Sequence, residues 1–133
     1  MSYLLDTNIC VRLLNGDEAL KKKVKAVGVA SIAITNGVLA ELFFGAFNSR
    51  RVEENIARIE KFARPLTILA DSQESARFFG RIKAELRKVG KPSQDFDLLI
   101  ASIALSIGCT LVTGNKKHFE SIPGLRLETW HQD

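Results

Sequence analysis

Residues 3–14 read Tyr-Leu-Leu-Asp-Thr-Asn-Ile-Cys-Val-Arg-Leu-Leu (YLLDTNICVRLL), and the order of residue types in this stretch decides the fold class. Ser2 to Leu5 is a short apolar run of strand length. It leads straight into Asp6, Thr7 and Asn8, whose side-chain oxygens accept bonds from free backbone N–H groups and so start helices. Ile9 to Leu14 continues as a helix that stops near Asn15-Gly16.

The same alternation repeats outward. A second helix follows Asp17 and carries the cluster Lys21, Lys22, Lys23 and Lys25. Ser31 to Thr35 is the next strand, with Thr35 or Asn36 able to cap a helix that bears Val38, Leu39, Glu41, Leu42, Phe43 and Ala46. Arg51 to Ala63 places Ile56, Ile59 and Phe62 on one helical face and ends before Pro65. Leu66 to Leu69 is a third strand, and Asp71 or Ser72 caps a long helix that Gly90, Lys91 and Pro92 interrupt after Val89. Asp95 to Ile107 is the most apolar helix, ended by Gly108. Cys109 to Thr113 is a fourth strand, Gly114-Asn115 opens a short helical stretch to Ser121, and Leu125 to Thr129 is an edge strand. Strands alternating with helices predict an α/β chain, with a central, mostly parallel sheet of four to five short strands between helices.

The length of 133 residues suits one domain spanning 1–133, and 46% hydrophobic content supplies its core. Cys10 and Cys109 each sit in an apolar run, outside any CxxC or zinc-type spacing, and read as buried thiols in a reduced compartment. Asp6 and Arg12 interrupt the apolar start, so no signal peptide is expected, and no run reaches the ~20 residues of a membrane span. The expectation is a cytoplasmic protein without membrane contact. A net charge of +4 is weakly compatible with a polyanionic partner.

Three carboxylates stand out by position. Asp6 ends the first strand, and in open parallel sheets ligands bind beyond the carboxyl ends of strands. Glu41 lies within the apolar segment GVLAELFFGAF, and Asp97 near the start of DFDLLIASIAL. Each has a plain structural alternative: Asp6 as a helix cap, Asp97 as a first-turn acid favoured by the dipole, Glu41 on a solvent face or in an ion pair. Burying Glu41 unpaired among Leu39, Leu42 and Phe43 would be costly. Together, three acids at one sheet edge repel unless a cation lies between them, and hard oxygen donors select Mg²⁺ or Mn²⁺ over zinc. Such an ion polarises a phosphoryl oxygen and acidifies bound water, which is the chemistry of phosphodiester hydrolysis.

These segments carry a resemblance. YLLDTNICVRLL, the region around VLAELFFGA, the stretch KPSQDFDLLIASIALSIGCTLVTGNKKHF and the ending IPGLRLETW are similar, in order and spacing, to the motifs of PIN-domain proteins and specifically of VapC-type toxins. The resemblance covers essentially the whole chain. It implies a PIN-like α/β/α sandwich and a Mg²⁺- or Mn²⁺-dependent endoribonuclease. It further implies a homodimer held in check by a small cognate VapB-like antitoxin. It assigns Asp6 and Asp97 as principal metal ligands and Glu41 as the second-motif acid, acting directly or through water. Thr7 and Asn8 match residues that support Asp6, and Thr113 matches the hydroxyl residue ending the fourth strand. Asn115 stands where many PIN domains carry a fourth acid, so a second metal ion has fewer charges to hold it. Asp95, two residues before Asp97, faces another side of the helix and reads as a cap rather than a ligand.

An RNA substrate needs cations near the acids. Arg12, Arg50, Arg81, Arg87, Lys91, Lys116 and Lys117 are the nearest in sequence, with Arg12, Lys116 and Lys117 the preferred contacts. His118 reads as a surface residue. Of the neighbouring pairs Phe43-Phe44 and Phe78-Phe79, one ring each is left for a dimer or antitoxin interface. Rival readings are a receiver-like signalling domain, which lacks its acid pair after the first strand, a catalytically silent PIN module, and a PIN-like nuclease acting on DNA.

Overall fold

The structure, a computed structural model, describes residues 3–130. Strand β1 (Tyr3–Leu5) hands over at Asp6 to helix α1 (Thr7–Leu14), and α2 (Glu18–Val27) follows Asp17. Strand β2 (Ile32–Thr35) leads into α3 (Asn36–Phe47) and then α4 (Val52–Ala63). Strand β3 (Thr67–Leu69) precedes the long α5 (Gln73–Lys88), which is followed by α6 (Asp95–Ile107). Strands β4 (Thr110–Val112) and β5 (Leu127–Glu128) complete the described chain.

Local capping chemistry fixes most of these starts. Asp6, Asp17, Thr35 and Ser72 have extended backbones, and each accepts a bond from an N–H of the first helical turn. Ser72 and Ser75 do so reciprocally, as a capping box. At the other end of α6, Gly108 adopts φ +79°, the left-handed geometry that terminates helices and that glycine enters without strain.

The sheet order is β3-β2-β1-β4-β5, and all four pairings among the described residues are parallel. The expectation of a mostly parallel sheet therefore holds in a stronger form. Helices α1 to α4 contact one another, while α5 packs on α6, so the strands lie between two helical groups. That cover makes the central strands apolar on both faces, with Leu4, Leu5, Ile32, Ala33, Ile34, Leu111 and Val112 all buried.

The strands are shorter than their apolar runs. Ser31 belongs to a 3-10 turn (Val29–Ser31), and the last strand keeps only Leu127–Glu128, the two residues that pair with β4. The helical stretch expected from Gly114 to Ser121 reduces to a 3-10 turn at Lys116–His118. Ser2 lies outside the described residues. Cys10 and Cys109 are buried free thiols, and burial, aided by the charge of Asp6, pushes the Cys10 thiol far above its ordinary range. No helix among the described residues is long and apolar enough to cross a membrane.

The phenylalanine pairs divide differently from expectation. Phe44 is 68% exposed while Phe43 packs against the core, as the pair predicted. Phe78 and Phe79, however, are both half-buried against the core. Each ring has a cation over it: Arg81 lies 5.1 Å from the Phe78 ring and Lys83 5.5 Å from that of Phe79.

Candidate active site

The chain runs from β1 outward to β2 and β3, then returns to place β4 on the other side of β1. The gap between β1 and β4 is therefore the switch point of the sheet, where parallel α/β folds bind ligands at the strand carboxyl ends. Asp6 and Thr113 sit at those two ends, since Leu5 pairs with Val112 in the register. The Thr113 hydroxyl donates to Oδ2 of Asp6 at 2.7 Å, and the Thr7 N–H donates to Oδ1 at 2.8 Å. Both oxygens of this buried carboxylate are thus held by donors, which fixes its orientation.

Asp97 enters from the first turn of α6, with its side chain only 14% exposed. Burial raises its pKa above the ordinary carboxylate value, and the charge of Asp6 adds to this. His118 opposes the rise, while Glu41 contributes to it. Three acids therefore share one electrostatic field, although they come from β1, α3 and α6. Glu41 itself is solvent-exposed on α3, so the cost of burying it is not incurred. It lines a cleft together with Thr7, Val11 and Phe44.

Among the described residues, no three His, Cys, Asp or Glu side chains stand together at metal-ligating spacing. The carboxylates are neighbours in a shared field, not a closed cage. The chemistry of the donors still fits a hard divalent cation: they are acceptor-only oxygens, Asp6 and Asp97 are withdrawn from water, and the charges of Asp6 and Glu41 both act on Asp97. Beside them, the Thr7 hydroxyl is buried with no hydrogen-bond partner, a spare oxygen next to Asp6.

The supporting residues act in ways the sequence did not specify. Thr7 holds Asp6 through its backbone N–H, not its hydroxyl. Asn8 supports the opposite rim, its Oδ1 accepting from the Gly114 N–H at 3.2 Å. Asn115 donates its backbone N–H to the Thr113 hydroxyl at 3.0 Å and leaves its residue exposed at the rim. Asp95 is not a cap: Gln94 holds the cap position without a side-chain bond, and Asp95 pairs with Lys83 at 2.9 Å.

The cations divide as well. Arg12 binds Asp17 through both Nε and Nη2, at 3.0 and 2.7 Å, so its guanidinium is committed to fastening α1 to α2. Arg81 pairs with Glu85 at 3.6 Å along α5. Lys117 lines a cavity of about 180 Å³ with Asp97, Ser93 and His118, while Lys116 is exposed on the same turn. His118 is exposed, as expected from the sequence, but it makes a contact that the sequence did not suggest. Its Nδ1 lies 3.3 Å from Oδ2 of Asp97, a contact across 21 positions that no local spacing signals.

Comparison with known proteins agrees with this fold. Residues 3–125 match the model of the PIN domain. The chain is 35% identical over 130 residues to the tRNA(fMet)-specific endonuclease VapC of Shigella flexneri, covering 98% of both. It is 39% identical over 132 residues to ribonuclease VapC2 of Rickettsia felis, again covering 98% of both. The crystal structure of DNA-bound VapBC from Salmonella typhimurium superposes with a TM-score of 0.93 at 34% identity, covering 98% of this chain and 99% of that one. With acids at the switch point of a parallel sheet, and with relatives matched along their whole length, the chain belongs to the PIN-domain family, as a VapC-type member.

Proposed function

We propose that this protein is an endoribonuclease, the toxin of a VapBC-type toxin–antitoxin pair, and that it depends on Mg²⁺ or Mn²⁺. The observation that carries the reading is a buried Asp6, clamped between Thr7 and Thr113, whose charge reaches the partly buried Asp97. The relatives support RNA as substrate, since those named above are a tRNA-specific endonuclease and a ribonuclease. The structural neighbour, a VapBC complex, supports a small antitoxin as partner.

A divalent cation held there supplies charge for the phosphate oxygens and an acidified water as nucleophile. Asp6 and Asp97 would hold it, with Glu41 at the mouth of the cleft acting directly or through water. Asp6 is oriented for this in advance, so little reorganisation is needed on binding. Lys117, beside Asp97, is placed to meet the substrate backbone, with Lys116 next to it. Homodimerisation fits the exposed Phe44 and Phe47 on α3, each 68% exposed.

The reading is tested by sequencing the 5′ ends of RNA from cells that express the chain without antitoxin. Discrete new ends, absent when Asp97→Asn is expressed at equal level, are the expected result, and initiator tRNA is the first species to inspect. Identical end profiles for both proteins would favour a silent binding module.

A further inference from the structure

We propose that His118 is a positioning residue for Asp97: its imidazole holds the carboxylate in place at the mouth of the site and so sets how tightly the site takes a divalent cation. This inference rests on the metal-dependent reading above. The contact joins a side chain that is 53% exposed to one that is 14% exposed, with Nδ1 3.3 Å from Oδ2. A ring that exposed is free to point into water, unless its backbone is fixed and a partner draws it in.

The backbone is fixed. Phe119, the next residue, is 0% exposed and anchors the turn in the core. The His118 N–H donates to the Asn115 carbonyl at 3.0 Å, and the Ser93 hydroxyl approaches the His118 carbonyl at 3.5 Å. Asn115 is in turn tied to Thr113, and Thr113 to Asp6. One run of contacts therefore leads from Asp6 through Thr113, Asn115 and His118 to Asp97, around the two acids that matter most. A neutral imidazole with its hydrogen on Nδ1 suffices as donor, so the role needs no change of protonation. Histidine and carboxylate pairs of this kind tune ligand geometry at metal sites, and losing the outer partner typically lowers metal affinity about 10–100-fold.

The test is Mn²⁺ titration by calorimetry of the purified, RNA-free protein, in wild type, His118→Ala and His118→Asn. Asparagine retains a side-chain N–H close to the place of Nδ1. The expected result is a loss of about 10-fold or more in Mn²⁺ affinity for His118→Ala, substantial recovery in His118→Asn, and unchanged thermal stability without metal. Electron-spin-echo spectra of the bound Mn²⁺ should show no ¹⁴N coupling that depends on His118. Equal affinity in wild type and His118→Ala, failure of asparagine to rescue, or a His118-dependent ¹⁴N coupling would each overturn the positioning role. Absence of Mn²⁺ binding in the wild type would instead defeat the metal-dependent reading, and this inference with it.

Discussion

The Thr113 hydroxyl and the Asp6 carboxylate, 107 positions apart, meet at 2.7 Å across the gap between β1 and β4. The bond does two things at once. It ties together the two strands flanking the sheet's switch point, and it orients an acid that would otherwise be free to turn.

That bond has a measurable worth. Thr113→Val keeps the shape of a fully buried side chain but removes both the donor to Asp6 and the acceptor for the Asn115 N–H. Leaving such groups unpaired costs about 1–3 kcal/mol. Urea unfolding should show that loss, RNA cleavage should fall with it, and Thr113→Ser should recover most of both.

Asp97 is predicted to cost stability when no metal is bound. Burial and the charge of Asp6 both disfavour its ionised form. In EDTA at neutral pH, Asp97→Asn should therefore melt at or above the wild-type temperature while cutting no RNA, as expected when function is retained against stability. A clear drop in melting temperature would mean that Asp97 is a structural acid.

Asp17 should confer the opposite dependence on pH. The Leu20 N–H, and then Arg12, hold its carboxyl below the usual range. A depressed folded pKa gives stability that is present above the unfolded value, about 3.9, and lost as pH falls through the folded one. The stability gap between wild type and Asp17→Asn should be full at pH 6 and shrink below pH ~4. A gap that stays constant down to low pH would contradict this.

Phe44 and Phe47 lie one helical turn apart on α3, each 68% exposed, so they add little to the fold of the single chain. The double change Phe44→Ser, Phe47→Ser should leave the unfolding free energy within about 1 kcal/mol. It should also shift the free protein from dimer toward monomer in light scattering. An unchanged mass would place the dimer contact elsewhere.

What the sequence made legible is what neighbouring residues decide. The helix starts at Asp6, Asp17, Thr35 or Asn36, and Asp71 or Ser72 were legible because a cap needs only its own side chain and the next three residues, and the structure selects Thr35 and Ser72. Strand and helix types followed from periodicity, so the α/β class and the position of Asp6 at a strand end were readable. The strand order was not, because pairing β4 beside β1 depends on how α5 and α6 pack. Arg12, read as a substrate contact, also pairs with Asp17 five residues on, a partner that a helix-by-helix reading did not assign to it. His118 is the surface residue it read as, but its contact with Asp97 was not legible, because that acid lies on another element. For Glu41 the apolar segment left a solvent face and an ion pair both open, and the helix turns the acid outward.

Cutting of RNA at a metal held by Asp6 and Asp97 can be assayed with purified protein. Antitoxin-free protein is mixed with end-labelled RNA in Mg²⁺, in Mn²⁺ and in EDTA, beside Asp6→Asn and Asp97→Asn. The expected result is cleavage by the wild type with either ion, none in EDTA, and none by either variant under any condition. Cleavage that persists in EDTA, or that survives the loss of Asp6, would contradict it.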